Sequence, residues 1–369
     1  MEKAYEYRIY PNKTQRMLLS KTFGCVRFVY NHFLALRKEA YENDNISLNY
    51  YDCANKLTSL KKNYEWLKEV DSTSLQSSLR NLDNAFKKFF KEHSGFPKFK
   101  SKKTNRFTYT SKCTNNNIEY LGRHIKLPKI GLLKTRNKLI PQGRILSATV
   151  RKEPSGRYYV TLCCQVDETK PFNRTCKSVG IDLGIKDFAI LSNGAKIGNP
   201  KYLKKSLDKL AKLQQELSRK SKGSSNRIKA RIRVARLYEH ISNQRKDFLQ
   251  KLSTELVRKY DVICIENLDV SKMIQDNQYA RDIADVSWSE FVRMLKYKTE
   301  WYGKELIMVN TYYPSSQKCN YCGHVNHDVK DLSLRKWICP KCNTSHDRDI
   351  NAAINILNEG IRLSQSKTA

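Results

Sequence analysis

The chain has 369 residues and carries 69 Lys and Arg against 36 Asp and Glu, a formal charge of +33. An excess of that size, spread over the whole length, points to a polyanionic partner. With no long apolar span, no lipidation signal and no secretory leader after Met1, membrane is the weaker candidate for that partner. The length allows two or three domains with a sizeable core. Eleven cysteines, an odd number that includes the adjacent Cys163 and Cys164, argue against a disulfide framework and for a reducing cytoplasm. The 21 Tyr and 13 Phe offer stacking surfaces for unpaired bases, although most aromatic residues in any protein are core.

In chain order, residues 4–10 (AYEYRIY) predict a short strand closed by Pro11. Asn12 predicts the start of a helix, with Gln15 as its capping-box partner and an apolar stripe of Leu19, Phe23, Val26, Tyr30 and Phe33. A second helical region follows Asp71, with Leu75, Leu79, Leu82, Phe86 and Phe89 on one face, and ends at Gly95-Phe96-Pro97. Residues 11–95 are therefore expected to form a small helical unit inserted after the first strand.

From about 106 to 175 the pattern is that of strands. Ile145–Arg151 and Tyr158–Val166 predict a hairpin across Pro154-Ser155-Gly156, and Asn115–Leu133 another strand pair. The basic run Lys98, Lys100, Lys102, Lys103 and Arg106 leads into this β-rich unit, as a nucleic-acid contact or simply a solvated loop. Residues 201–259 predict a helical hairpin, with Leu203, Leu207, Leu210, Leu213 and Leu217 as one apolar stripe and Leu237, Ile241, Phe248, Leu252 and Leu256 as the second, separated by a break at Lys222-Gly223-Ser224-Ser225. Its eighteen Lys and Arg against five Asp and Glu favour a surface that faces nucleic acid over a solvated helix pair. Val262–Ile265 predicts a buried strand. Ser287 and Glu290 predict a capping box for a helix ending near Tyr302, and Leu306–Asn310 a further strand.

Cys319 and Cys322, then Cys339 and Cys342, form two C-x-x-C turns separated by sixteen residues. Each such turn aims both sulfurs at one point, so the four thiolates can close a tetrahedral zinc site; two unrelated thiol pairs or a disulfide are the alternatives. His324, His327 and His346 read as ordinary polar residues, because four cysteines already fill zinc.

Three carboxylates stand out. In Val179–Ile185 the residues alternate, leaving Asp182 between Gly180 and Gly184 on one face, an open notch where a metal and a phosphate backbone can come close. Glu266 ends the Val262–Ile265 strand on the face of Val262 and Cys264. Asp349 opens an apparent helix over Ile350–Leu357, with Ala352 and Ala353 leaving the acid clearance. Each has a plain structural alternative: a turn Asp, a strand end reaching solvent, or a helix N-cap. Together they are the parts of an RNase H-like metal site, where two magnesium ions need hard oxygen ligands from separate elements. No Ser-His-Asp order, P-loop or dinucleotide glycine pattern competes.

At this point the chain resembles the TnpB family, transposon-encoded RNA-guided DNA endonucleases related to type V CRISPR effectors. The matching stretches, in the family's order, are YRIYPNKTQ, FGCVRFVYN, LQSSLRNLDNAFKKFF with GFPKFK, VGIDLGIKDFAILSNG, RKDFLQKLSTEL, ICIENLDV, YPSSQKCNYCG and HDRDINAAINIL. The resemblance implies a multidomain α+β fold: a wedge β-barrel (1–10 and 96–175), a helical recognition unit (11–95), a RuvC nuclease domain (176–315 and 347–369) and a zinc ribbon (316–346). It implies Asp182, Glu266 and Asp349 as ligands of Mg2+ or Mn2+, Cys319, Cys322, Cys339 and Cys342 as ligands of Zn2+, and Arg348 near the scissile phosphate. Gln76, assisted by Tyr51, falls where similar proteins read a short DNA motif beside the target; a capping-box partner of Thr73 is the alternative for Gln76. The implied partners are a guide RNA from the transposon end and target double-stranded DNA. A strand-joining transposase using the same acids, or a catalytically silent RNA-guided repressor, are the competing functions.

Overall fold

The computed structural model describes residues 1–103, 106–137, 139–167, 170–275, 280–331 and 333–368. The chain divides into two compact units, Met1–Glu168 and Thr169–Ala369. Among the described residues no helix is long and apolar enough to cross a membrane.

The first unit opens with β1 (Glu2–Ile9), whose alternate residues Tyr5, Tyr7 and Ile9 enter the core. Helix α1 (Lys13–Asp44) follows from the predicted cap: Asn12 Oδ1 accepts from Gln15 N at 2.8 Å and Gln15 Oε1 from Asn12 N at 3.0 Å. Its predicted apolar stripe is buried throughout. Helix α2 (Tyr50–Asn63) was not expected; it starts from a second reciprocal cap, between Asn49 and Asp52. Helix α3 (Ser72–Glu92) is capped by Asp71, which takes Thr73 N at 3.3 Å and the Thr73 hydroxyl at 2.5 Å. Thr73 is thus inside the helix, and the capping alternative for Gln76 fails.

Six strands complete this unit: β2 (Phe107–Lys112), β3 (Glu119–Leu121), β4 (His124–Leu127), β5 (Gly131–Lys134), β6 (Arg144–Lys152) and β7 (Tyr158–Gln165). The β6–β7 hairpin turns at Gly156, with φ 79°. Strands β1, β7, β6 and β2 form one antiparallel sheet in that order, and β3, β4 and β5 a three-stranded one where a pair was predicted. The expected closed barrel is not present among the described residues. The two sheets touch through the Ile9–Thr135 bridge, but at the far edge the Lys112 N–H donates to the Thr73 hydroxyl at 3.0 Å. A helix, not a strand, meets β2 there.

The second unit is built on β8 (Ser178–Leu183), β9 (Asp187–Leu191), β10 (Lys196–Gly198), β11 (Val262–Glu266) and β12 (Glu305–Val309), ordered β10-β9-β8-β11-β12. Strands β8, β11 and β12 are parallel; β9 runs against them, and β10, antiparallel to β9, runs in their direction again. Between β10 and β11 lie α4 (Tyr202–Lys205), α5 (Leu207–Ser218) and α6 (Ser225–Lys259). The predicted break carries Gly223 at φ 87°, and Ser224 caps α6 by accepting from Arg227 N at 3.1 Å. Next come α7 (Val270–Gln275), α8 (Ala280–Val286) and α9 (Trp288–Tyr302). The expected Ser287–Glu290 box is absent: Ser287 sits at φ 59° and donates to Ala284 O, while Glu290 pairs with Arg293. After β12 come β13 (Lys336–Ile338), β14 (Ser345–Asp347) and α10 (Arg348–Thr368), a far longer helix than the expected 350–357.

One face of the sheet, with Val179, Ile181, Ile263 and Ile265, packs on Leu249, Leu252 and Leu256 of α6 and on Phe291, Met294 and Leu295 of α9. The opposite face is covered by α10. There, a Cβ on Gly180 would lie 2.0 Å from Ala353 O and 2.7 Å from Leu357 N, and one on Gly360 would lie 2.3 Å from Cys264 Sγ. The helix backbone thus lies directly on β8. Replacing Gly180 with Ala forces backbone apart from backbone, so the unit is expected to lose stability at or beyond the top of the ~1–3 kcal/mol range for overpacked cores. Gly198→Ala, where a Cβ meets nothing within 4 Å, is the control. Urea midpoints test this; an unchanged midpoint for Gly180→Ala contradicts the close packing.

Candidate active site

The three singled-out carboxylates meet because of strand direction. Ile181 pairs with Ile265 in parallel register, so Asp182 and Glu266 each stand one residue beyond that pair on neighbouring strands, on the face that α10 covers. Ala353 lies against Gly180, and Asp349 is one helical turn before Ala353. The N-terminus of α10 therefore brings Asp349 to the strand ends that carry Asp182 and Glu266. Gly180 and Gly184 do not leave an open notch: Gly180 admits the helix, and a Cβ on Gly184 would meet Asp187 O at 2.8 Å in the β8–β9 turn. Ala353, fully buried, likewise serves packing. The N-cap role considered for Asp349 belongs to Asp347, whose Oδ1 accepts from Asp349 N at 3.1 Å and Ile350 N at 3.2 Å.

Burial first, and the charges of Glu266 and Asp349 next, push the Asp182 carboxyl well above the usual range, against the opposing pull of Arg348 and Arg335. Burial also raises Glu266, while a hydrogen bond from the Ser315 hydroxyl opposes the shift. Asp349 pairs with Arg335 at 3.3 Å. A buried carboxyl that two neighbouring acids push up marks a site that a hard divalent cation would relieve. Arg348 is buried, its guanidinium donating to Asp331 O at 2.5 Å. Ser315 and Arg335 were not singled out in the sequence, where each is one polar residue among many.

The four cysteines converge: their sulfurs all lie within 4.8 Å of one another, with Cys319–Cys342 at 3.7 Å and Cys322–Cys339 at 3.5 Å. A tetrahedron with Zn–S bonds of about 2.3 Å has edges of about 3.8 Å, so the cluster fits zinc. Among the described residues no carboxylate trio converges as closely; Glu266 accepts from Ser315 and Asp349 pairs with Arg335. The Thr344 hydroxyl, 3.2 Å from Cys342 Sγ, and its backbone pull that thiol down to about 6. His346 Nε2 lies 3.1 Å from Cys319 Sγ, as a hydrogen-bonding neighbour of the cluster. Asn351 and Asn355, one turn apart on α10, donate to Lys318 O at 2.8 and 2.6 Å, and Asn355 also to Ser315 O at 2.8 Å. The ribbon is thereby tied to the helix that carries Asp349.

Elsewhere, Leu210, Val234, Leu237 and Ile241 hold α5 and α6 together, leaving Lys212, Arg219, Lys220, Lys229, Arg231 and Arg236 exposed. In the first unit Gln76 is exposed on α3, and Tyr51 is 72% exposed at the start of α2. Arg80, one turn beyond Gln76, lies 4.3 Å over the Tyr50 ring, which meets Tyr51 edge-on at 5.3 Å.

Three known families match: a probable transposase family over residues 161–277, the TNB domain of Cas12f1-like proteins over 288–356, and a helix-turn-helix domain over 1–45. A putative RNA-guided DNA endonuclease of Streptomyces pristinaespiralis is 40% identical, over 99% of this chain and 90% of its own. The putative RNA-guided DNA endonuclease InsQ of Escherichia coli K12 is 32% identical, over 97% of this chain and 92% of its own. The fold is similar to that of Cas12f1 in its complex with sgRNA and target DNA, with TM-score 0.61 and 14% identity over 97% of this chain and 99% of that one. With nearly full-length relatives at this level of identity, the chain belongs to the TnpB family.

Proposed function

We propose that the protein is an RNA-guided, magnesium-dependent endonuclease that cuts double-stranded DNA beside a short flanking motif. The observation that carries this reading is the meeting of Asp182, Glu266 and Asp349 at the strand ends of a β10-β9-β8-β11-β12 sheet. Their hard oxygens would hold Mg2+ or Mn2+. Two such ions would supply activation of a water and stabilisation of the leaving oxygen of a phosphodiester. The chain's own residues set the geometry: β8 and β11 fix two carboxylates, α10 delivers the third, and Ser315 orients Glu266. Arg348 offers a fixed positive charge beside the acids. The exposed cations of α5 and α6 suit an RNA or heteroduplex backbone. Gln76 and Tyr51 suit a flanking duplex, leaving guide pairing to read the target, a division of labour found in another RNA-guided nuclease. The four cysteines would hold zinc, which would stiffen the ribbon that α10 anchors.

Asp182→Ala removes hard oxygen ligands that a water cannot match in charge, and leaves the helices of the first unit untouched. The variant is expected to bind guide RNA and matched target yet cut neither strand. Glu266→Ala and Asp349→Ala are expected to behave alike, with little further loss on combination, because groups acting as one unit are not additive. Cleavage and binding assays on the same preparations decide; full cutting by Asp182→Ala overturns the site. The probable-transposase match favours a second reading, strand transfer with the same acids. Joined rather than cleaved DNA in that assay would support it.

Metal analysis tests the ribbon. Cys339→Ser is expected to lower bound zinc and to increase proteolysis of the segment around 316–346, because metal binding and folding are coupled in such inserts. Zinc-free protein that still cuts would contradict the assignment.

A further inference from the structure

Outside the acidic site, one cavity gathers positive charge that forms no ion pair among the described residues. Between α1 and β2 of the first unit lies a pocket of about 210 Å³, walled by Phe23, Val26 and Phe107 and rimmed by Arg27, Lys100 and Arg106. None of these three cations forms an ion pair with a carboxylate among the described residues; the nearby Lys21 pairs with Glu69 instead. Lys100 is held in place from two sides. Asn31 Nδ2 donates to Lys100 O and Lys100 N donates to Asn31 Oδ1, both at 2.8 Å, while Lys100 Nζ lies 3.8 Å from the centre of the Tyr30 ring. Burial lowers the Lys100 pKa, with no acid opposing the shift.

A partly desolvated ammonium that is held rigidly and lacks a counter-charge is costly unless an anion completes it. Two guanidiniums at the same rim can supply forked donors to phosphate oxygens. The apolar wall suits the sugar or base attached to such a phosphate and is poorly matched to a free, fully hydrated ion. We propose that this pocket binds a backbone phosphodiester of a nucleic acid, with Arg27, Lys100 and Arg106 around the phosphate and Phe23 and Phe107 against the adjoining nucleoside. The proposal rests on the nucleic-acid-binding reading above, but requires no cleavage.

The test is the salt dependence of binding, measured with a short DNA duplex and with a structured RNA hairpin. The proteins are wild type, Arg106→Gln, Arg106→Lys and the triple Arg27→Gln/Lys100→Met/Arg106→Gln variant. Neutralising a phosphate contact lowers the slope of log K against log salt by about one. The triple variant is expected to lose about one unit of slope with one probe, and Arg106→Gln part of it, with Arg106→Lys restoring the wild-type value. Loss with RNA assigns the pocket to the guide, and loss with duplex assigns it to the target; either supports the proposal. Because Arg106 is exposed, its substitution does not threaten folding. Slopes unchanged with both probes, including weaker binding at constant slope, overturn the pocket. Wild-type protein that shows these slopes but never cuts DNA would overturn the nuclease reading alone.

Discussion

The backbone-to-backbone contact between α10 and β8 is the constraint on which the second unit depends. Gly180 and Gly360 remove the two side chains that would hold helix and sheet apart, and the small Ala353 completes the seam. The consequence is chemical as well as mechanical. A carboxylate one turn from the seam is delivered to the ends of two parallel strands, each carrying its own acid. The sheet thereby concentrates negative charge that burial makes costly. A divalent cation and a phosphate are what such a site is suited to receive.

The ribbon is coupled to that seam through polar contacts. Asn351 and Asn355 project from α10 to the Ser315–Lys318 backbone, and Ser315 in turn donates to Glu266. From the other end of the ribbon, Arg335 reaches Asp349. Ser315, just before the ribbon, and Arg335, within it, thus hold two of the three acids. A local metal staple is an economical means of ordering a short insert, because such inserts have little core of their own.

Local chemistry explains what was legible in the sequence. The Asn12–Gln15 cap, the Leu19–Phe33 stripe, the Gly223 break and the two C-x-x-C turns each involve residues a few positions apart, and each is found as read. The three acids were legible because strand alternation and a helix start placed each one separately. Residues far apart in the chain defeated the rest. Gly180 reads as an open notch until Ala353, 173 positions away, is laid upon it. Barrel closure was expected from the resemblance, but β2 meets α3 through Thr73 and Lys112. Ser287 failed as a cap because its own backbone turns left-handed. Helix α2 went unread because its cap, Asn49 with Asp52, lies in a polar stretch with only a short apolar stripe of Cys53, Leu57 and Leu60.

The central claim is that Asp182, Glu266 and Asp349 act as one metal-binding unit. Anomalous scattering from manganese in crystals of the protein with guide and target nucleic acid tests it most directly. The account predicts manganese peaks contacted by oxygens of all three carboxylates. Manganese bound elsewhere while these three remain in their pairings with Ser315 and Arg335 would contradict it.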